Sequence, residues 1–354
     1  MAKSITVVIA GYYGFGNLGD EAIRFALLQS LNQYNRAESI VLTANPQTRN
    51  EISRNNPIRI LGAIRRSSIL LFGGGGLLQN RTSNRSLFYY LSLILLARIA
   101  RRPVYLVGQG IGPILGKLAQ LVTRLALKQV HHIDCRDQES LSYVNSLGLN
   151  GTQGSDLFFL LPPSPHHSRL TQSPPRIVLS LKGLPRKQQA GFIEQAIRLL
   201  KELHSQRGVS CIFLPFFPKQ DLALARAISS ECGFSCQILP AAGVDQAERV
   251  ISSAIVLVSS RLHPLEFALR MGTPMFAISE DPKIEHFVHE VHSRDGPCIP
   301  CGSFPSVEET SLLLDHPPAP DSLRKTYRQL HETRKQTFKL LLDGLYYDLE
   351  GKDV

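Results

Sequence analysis

Residues 5–32 read ITVVIAGYYGFGNLGDEAIRFALLQSLN and decide the fold. A short apolar run, Ile5–Ala10, comes first, a glycine-rich stretch follows, and a helical stretch, Glu21–Asn32, completes the unit. This order of strand, loop and helix starts a β/α alternation, which predicts a parallel sheet. The predicted strands of this first series are Ile5–Ala10, Ser39–Thr43, Ser68–Phe72, Val104–Gly108 and Ile133–Cys135.

A second series of the same kind follows a proline-rich interruption. Residues 161–175 read LPPSPHHSRLTQSPP and carry five prolines, so we expect an interdomain linker at 162–175. The strands predicted beyond it are Arg176–Leu181, Ser210–Leu214, Cys236–Leu239, Ile255–Ser259 and Pro274–Ile278. The sequence therefore predicts an α/β protein with two doubly wound, Rossmann-like domains facing a cleft, at 1–161 and 176–320, and a C-terminal helical segment, 321–354, that packs back on the first domain.

Composition excludes several classes of protein. The chain has 354 residues, 43% hydrophobic and 19% charged, which fits neither a disordered chain nor an integral membrane protein. The N-terminal apolar run is too short for a signal peptide, and the longest one, Leu87–Ala100, is too short to span a bilayer, so we expect a cytoplasmic protein. The net charge of +10 suggests acidic partners. Because the basic residues are scattered and Trp is absent, nucleic acid is not expected among them.

Cysteine and histidine do not predict a metal site. The chain has six cysteines, and the Cys298/Cys301 and Cys232/Cys236 pairs invite a zinc or redox interpretation. No strand-to-helix redox context accompanies them, so ordinary reduced thiols are expected. The histidines occur without the carboxylate pattern of a metal centre.

Glycines follow three predicted strands. Gly14, Gly16 and Gly19 formally match the dinucleotide pattern, but the loop is long, and Asp20-Glu21 at the helix start would repel a pyrophosphate. Asn17 and Asp20 either bond hydroxyls of a ligand or cap a tight turn. The runs Gly73–Gly76 and Gly108-Gln109-Gly110 come after two further strands, and together the three loops predict a ligand site at the carboxyl edge of the sheet.

Cationic side chains also stand at predicted strand ends. Arg136 follows one strand and binds either an anion or, in a salt bridge, Asp137 or Glu139. In the second series Arg261 and His263 open a helix, where an anion is favoured and a histidine can donate a proton. Lys283 follows the next strand and is either part of this edge or a solvated lysine.

Taken together, these segments resemble the polysaccharide pyruvyl transferase family, most closely its CsaB-type bacterial branch. The resemblance rests on GYYGFGNLGDEAI at 11–23, GGGGLLQNRTSNRSLFYYL at 73–91, GQGIGPI at 108–114, CRDQES at 135–140, SRLHPLEFALRMGTP at 260–274 and ISEDPKIEHF at 278–287. It implies a two-domain architecture similar to glycosyltransferase B. It also implies transfer of a pyruvyl group from phosphoenolpyruvate to a sugar, with a ketal formed and phosphate released.

The resemblance further implies roles for single residues. Arg136 of the N-terminal domain and Arg261, His263 and Lys283 of the C-terminal domain, the donor side, would bind the donor. His263 would be acid and base, and Arg136 and Lys283 would contribute to catalysis. Asn17, Asp20, Gly75 and Gln109 would bind the acceptor on the N-terminal side. No cofactor or metal is needed beyond phosphoenolpyruvate as donor. The acceptor would be lipid-linked or nucleotide-linked.

The basic helices of the first domain either favour contact with an anionic membrane surface or are solvated helix faces. Two alternatives stay open: a glycosyltransferase of the same architecture that uses a nucleotide sugar, and a non-catalytic protein that binds an anionic sugar.

Overall fold

The structure is a computed structural model that describes residues 5–33, 37–81, 83–164, 174–279 and 281–350. The chain divides into two compact units. The first comprises Met1–Phe15, Asp20–Leu161 and His331–Val354, and the second comprises Gly16–Gly19 and Pro162–Leu330. Most of the predicted linker, residues 165–173, lies outside the described residues.

The first unit is built on a parallel sheet of seven strands. They are β1 (Ile5–Ala10), β2 (Ala37–Thr43), β3 (Glu51–Ser53), β4 (Ile69–Leu78), β5 (Val104–Ile111), β6 (His132–Cys135) and β7 (Thr152–Gln153). Their order across the sheet is β3-β2-β1-β4-β5-β6-β7. The helices are α1 (Leu18–Gln33), α2 (Pro57–Arg66), α3 (Asn84–Ile99), α4 (Lys117–Leu127) and α5 (Gln138–Ser146), followed by a 3-10 turn at Leu157–Leu160.

One core lies between this sheet and α2, α3 and α4. Ile64 of α2, Leu91 of α3 and Leu127 of α4 all belong to the same buried cluster as Phe72 and Leu106 of the sheet. Because β4 and β5 are covered on both faces, they are buried along almost their whole length rather than at alternate residues. The three helices therefore cover the same face of the sheet.

The second unit repeats the plan with six parallel strands. They are β8 (Arg176–Ser180), β9 (Ser210–Phe213), β10 (Cys236–Ile238), β11 (Val256–Ser259), β12 (Met275–Ile278) and β13 (Cys301–Gly302), in the order β10-β9-β8-β11-β12-β13. The helices are α6 (Arg186–Arg207), α7 (Pro218–Glu231), α8 (Val244–Ser252), α9 (Leu262–Met271), α10 (Pro282–His292) and α11 (Val307–Asp315).

Both sheets have the Rossmann strand order. In each, the chain starts in the middle, builds outward to one edge, and returns to continue on the other side of the first strand. Ligands of such sheets bind at the carboxyl ends of the strands, where the order reverses. That point lies between β1 and β4 in the first unit and between β8 and β11 in the second. The predicted fold class, two doubly wound α/β domains, is confirmed.

Two predicted strand ends are wrong. β4 continues to Leu78 and β5 to Ile111, so both glycine runs lie inside strands instead of in loops after them. Glycine supplies little sequence signal for a strand, but pairing of Gly73 with Val107 and of Gly75 with Gln109 continues the ladder. A register shift follows between Gly75 and Leu78. Such irregularities are common where a sheet meets a ligand.

The last helix, α12 (Pro320–Glu350), is shared by the two units, since residues up to Leu330 belong to the second and those from His331 to the first. Within the first unit, Nη2 of Arg334 lies 2.6 Å from Oδ2 of Asp134, and each side chain is only 1% exposed. In the part of the chain that the structure describes, no helix is both long and apolar enough to cross a bilayer.

Candidate functional site

The loop after β1 is held by two hydrogen bonds to the rest of the first unit. The Tyr13 hydroxyl donates to the Gly73 carbonyl at 2.6 Å, and the Gly14 N–H donates to Oε1 of Glu21 at 2.6 Å. Gly14 has φ +79°, a conformation that other residues rarely adopt. Glu21 therefore stabilises the turn, a role that was not predicted for it.

Asp20 is turned toward β4. It is 9% exposed, and a Cβ added to Gly75 would lie 3.2 Å from its Oδ1 atom. Gly75 itself has φ +78°. Two of the predicted acceptor residues, Asp20 and Gly75, are thus adjacent at the point where the strand order reverses.

Gln109 joins this group from β5. Its side chain is fully buried, and Nε2 donates to the carbonyls of Gly74, at 3.1 Å, and of Gly75. The amide therefore fixes the backbone of the glycine run that faces Asp20. Its Oε1 atom has no hydrogen-bond partner among the described residues. The preceding residue, Gly108, is also held by a side chain, because its N–H donates to Oδ2 of Asp134 at 2.7 Å.

Arg136 lies at the end of β6 and is 8% exposed. Its Nε and Nη2 atoms both lie 3.1 Å from Oδ2 of Asp137, and its Nη1 atom lies 3.5 Å from Oδ2 of Asp156. Burial by itself would raise the pKa of Asp137, but the Arg136 charge and hydrogen bonds from Ser140 outweigh it, so that pKa is lowered. The salt bridge that the sequence left open is present, and contact of Arg136 with a donor stays a prediction.

The second unit includes the short segment Gly16–Gly19. The Leu18 N–H donates to the Phe216 carbonyl at 2.8 Å, which attaches the start of α1 to this unit. A Cβ added to Gly19 would lie 2.0 Å from Nδ1 of His263, so only glycine fits there. Asn17, whose Oδ1 accepts from the Gly19 N–H at 3.3 Å, therefore belongs to the surroundings of His263.

His263 is the second residue of α9 and shares a helix face with Glu266. A ring nitrogen of His263 and a carboxylate oxygen of Glu266 lie within 4.8 Å of each other, and Glu266 is 1% exposed. A buried carboxyl group thus lies close to the imidazole ring. The sequence analysis did not select Glu266, although its i, i+3 spacing from His263 was the available signal.

Arg261 is the N-cap residue of α9 and is anchored from α7. Nη2 lies 3.1 Å from Oε1 of Gln220 and also bonds Oδ1 of Asp221, whose side chain is 1% exposed. Asp221 in turn accepts from the Phe217 N–H at 2.8 Å. The guanidinium is therefore fixed in place. Asp221 was not predicted, because 40 residues separate it from Arg261.

Lys283 is the second residue of α10, and its N–H donates to Oδ1 of Asp281 at 3.3 Å. This helix follows β12, the neighbour of β11 in the sheet, and α9 follows β11. Arg261, His263 and Lys283 therefore all follow the carboxyl ends of adjacent parallel strands, and their contact with a donor stays a prediction.

An aromatic cluster in the first unit was missed altogether. The rings of Tyr12 and Phe15 stack 4.1 Å apart at 13°, and Cζ of Arg54 lies 4.0 Å from the centroid of Tyr89 and 5.0 Å from that of Phe15. The signal was the pair of aromatic residues in the loop after β1. Stacked rings with a cation are a common surface for sugars and other polar ligands with an apolar face.

Comparison with solved structures shows the same fold at low sequence identity. The UDP-GlcNAc 2-epimerase of Neisseria meningitidis, bound to UDP-GlcNAc, is 12% identical, with a TM-score of 0.62 over 95% of this chain and 99% of that one. HepE of Anabaena, in complex with UDP and glucose, is 13% identical, with a TM-score of 0.56 over 95% and 99%. A mutant O-GlcNAc transferase of Thermobaculum terrenum is 12% identical, with a TM-score of 0.53 over 100% and 69%.

Sequence comparison gives the family. No curated protein sequence gives a significant match. The family model described as polysaccharide pyruvyl transferase matches residues 17–282, well over half of the chain. The match includes Asn17, Asp20, Gly75, Gln109, Arg136, Arg261 and His263, and it ends one residue before Lys283. The chain, with its two Rossmann-like domains similar to those of the glycosyltransferase B fold, therefore belongs to the polysaccharide pyruvyl transferase family.

Proposed function

We propose that this protein transfers the pyruvyl group of phosphoenolpyruvate to a sugar of a cell-surface polysaccharide or of its lipid-linked or nucleotide-linked precursor. Two sugar hydroxyls become joined to carbon 2 of the donor as a ketal, and phosphate is released. The observation that carries the proposal is the position of His263. It opens α9 beside Arg261 and Glu266, at the carboxyl end of the second sheet, in a chain of this family.

The charges around His263 suit the donor. Phosphoenolpyruvate carries a phosphate and a carboxylate, and it needs two or more fixed cations for tight binding. Arg261 and Lys283 come from neighbouring strand ends, and the N-termini of α9 and α10 add their dipoles. Arg136 of the first unit is a further donor contact in the proposal.

The chemistry asks for one acid and one base. Protonation of the methylene carbon by His263 makes carbon 2 electrophilic, and a first sugar hydroxyl adds there while its proton returns to the imidazole. The bond from carbon 2 to the phosphate oxygen then breaks, with the electron pair leaving on phosphate. The second hydroxyl then adds to carbon 2, and the proton of that hydroxyl is transferred to the released phosphate. In the proposal the carboxylate of Glu266, close to the ring, offsets the positive charge of the imidazolium.

The acceptor side of the proposal rests on Asp20, Gly75 and Gln109, with Asn17 close to His263. Asp20 offers a carboxylate to sugar hydroxyls, and Gln109 keeps the Gly75 backbone in place. The stacked rings of Tyr12 and Phe15, with Arg54, add an apolar face and a positive charge, which suits a sugar attached to a diphosphate.

The test starts with ligand binding, because this needs no knowledge of the acceptor. Thermal unfolding is measured with phosphoenolpyruvate, with UDP and with NAD, for wild type and for Arg261→Ala, Arg136→Ala and Arg207→Ala. A ligand at about 100 times its Kd stabilises by about 2.7 kcal/mol. We expect phosphoenolpyruvate to raise Tm, with or without a rise from UDP as part of a nucleotide-linked acceptor, and Arg261→Ala and Arg136→Ala to weaken the rise given by phosphoenolpyruvate. Arg207, in an exposed pair with Asp315, is the matched control.

The second part is turnover in D2O with panels of UDP-linked and undecaprenyl diphosphate-linked sugars. The proposal expects a ketal whose methyl group carries one deuterium, phosphate in equal amount, and a rate at least about 100-fold lower for His263→Gln. Stabilisation by UDP alone, with sugar transfer and no ketal, would make the protein a glycosyltransferase. Sugar binding that His263→Gln leaves unchanged, with no ketal formed by wild type, would support a non-catalytic sugar-binding protein instead.

A further inference from the structure

The excess of positive over negative charge is concentrated in one segment, because acidic residues are absent there. Between Glu51 and Asp134 the sequence contains twelve Arg and Lys residues and no Asp or Glu, so this segment carries more than the whole net charge of +10. It includes α2, α3 and α4, which cover the same face of the first sheet. The outer side of this helix layer is therefore strongly cationic, with no carboxylate of its own to neutralise it.

The same layer exposes an unusual amount of apolar surface. Of the twelve large hydrophobic side chains that are exposed among the described residues, eight lie in this segment. They are Ile58, Phe88, Leu95, Ile99, Leu115, Leu118, Leu121 and Leu125. Isolated exposed leucines need no explanation, but a contiguous group rimmed by polar residues marks an interaction site.

α4 has one buried face and exposed leucines on the opposite side. Its inner face is buried through Ala119, Thr123 and Ala126. Leu118, Leu121 and Leu125, at i, i+3 and i+7, form a stripe on the outer side and are 70%, 52% and 53% exposed. We call these three residues the leucine stripe.

Basic residues flank the leucine stripe on one side. Lys117, Arg124 and Lys128 follow one another at spacings of seven and four, so they form a row next to it, and all three are exposed. At the end of this row Nε of Arg98 lies 2.9 Å from Oε1 of Gln129, which brings the last turn of α3, with the exposed Ile99, next to the end of α4. An apolar stripe beside a row of cations is the pattern of a helix that lies in a lipid interface.

We propose that the outer surface of α3 and α4 docks on an anionic phospholipid bilayer, with the leucine stripe entering the boundary between headgroups and acyl chains. Charge selects this occupant, because an acid-free surface of this size has its complement in a layer of anionic headgroups. The proposal is independent of pyruvyl transfer, since the outer surface of α3 and α4 contains none of the residues assigned to the donor or the acceptor.

The experiment is sedimentation of the full chain with two kinds of vesicle, pure phosphatidylcholine and phosphatidylcholine with 30% phosphatidylglycerol, at low and at 0.5 M salt. We expect binding to the anionic vesicles at low salt and loss of binding at high salt. Lys117→Gln/Arg124→Gln/Lys128→Gln should weaken binding by about 100-fold, on the basis of the known contribution of each basic residue near a charged bilayer. Leu118→Gln/Leu125→Gln should weaken it by more than tenfold.

Matched controls come from exposed residues outside the layer. Lys325→Gln/Arg328→Gln/Lys335→Gln removes three exposed charges of α12, and Leu312→Gln/Leu340→Gln removes two exposed leucines. Both should bind like wild type. Absence of binding to anionic vesicles at low salt would overturn the proposal, as would equal losses in the α4 and control variants. A concentration-dependent dimer that Leu118→Gln/Leu125→Gln abolishes, without vesicle binding, would assign the surface to a second copy of the chain.

Discussion

The imidazole of His263 occupies the space in which any side chain at position 19 would have to lie. A Cβ added to Gly19 would be 2.0 Å from Nδ1 of His263, which is too close for two non-bonded atoms. The second residue of α1 and the second residue of α9 are thus packed against each other within the second unit.

Gly19→Ala should therefore reduce activity without unfolding the protein. The methyl group must push the imidazole aside, and a displacement of about 1 Å at a reacting group can lower the rate about 100-fold. The measurement is kcat in the ketal assay together with Tm. Gly191→Ala is the control, since Gly191 is also helical but has no atom within 4 Å of the added Cβ, and alanine should raise Tm there. An unchanged kcat in Gly19→Ala would contradict the assigned position of His263.

Asp221→Asn should weaken donor binding. The carboxylate of Asp221 holds Nη2 of Arg261, and a neutral amide loses the charged part of that bond, worth about tenfold in affinity. The measurement is the Kd for phosphoenolpyruvate, with the pH profile of kcat expected to keep its shape because His263 is untouched. Asp315→Asn removes the partner of Arg207 in an exposed pair and should change neither. Equal Kd values for wild type and Asp221→Asn would show that Arg261 does not need this anchor.

Acid should weaken the first unit through Asp137. Its folded-state pKa is lowered, so the stabilisation that its charge provides is complete above the ordinary pKa of about 3.9 and is lost as pH falls through the lower folded value. Asp137 also caps α5 by accepting from the Ser140 N–H at 2.9 Å. Asn at position 137 keeps a capping side chain but carries no charge.

Denaturant unfolding at pH 6 and at pH 3 separates these two contributions. Wild type should lose more stability between the two pH values than Asp137→Asn, while Asp137→Asn should be less stable at pH 6. The same loss in both proteins would mean that Asp137 contributes nothing to the acid sensitivity.

Arg334→Met should destabilise the protein by about 3 kcal/mol, because it leaves the carboxylate of Asp134 buried without its charged partner. Asp134→Asn in the same chain should restore part of the loss, since the Gly108 N–H can still donate to the amide oxygen. The measurement is urea unfolding of both single variants and of the double variant. Lys339→Ala, which breaks an exposed i, i+4 pair with Asp343 in the same helix, should cost less than about 0.5 kcal/mol. Similar losses of unfolding free energy for Arg334→Met and Lys339→Ala would show that burial of the Arg334–Asp134 pair does not increase its contribution to stability.

The sequence predicted what local patterns encode. Apolar runs such as Ile5–Ala10 reveal the strands, and the alternation with helices is enough for two doubly wound sheets. It predicted β4 and β5 too short, because glycine gives no strand signal and the pairing that extends them is long-range. It selected Arg261 and His263 from their place at a strand end. It missed Asp221 and Glu266, since only the folded chain shows which carboxylate faces which cation.

The division of the chain has a consequence for its synthesis. Asp134 is buried against Arg334, which is 200 residues further along, and His331 meets the Phe159 carbonyl at 2.9 Å. The first domain to leave the ribosome therefore lacks part of its own interior until nearly the last helix has been made. Until then Asp134 lacks its buried partner and can remain hydrated and charged. A chain that ended before Arg334 would contain every strand of both sheets but would leave Asp134 in the first unit without its cationic partner.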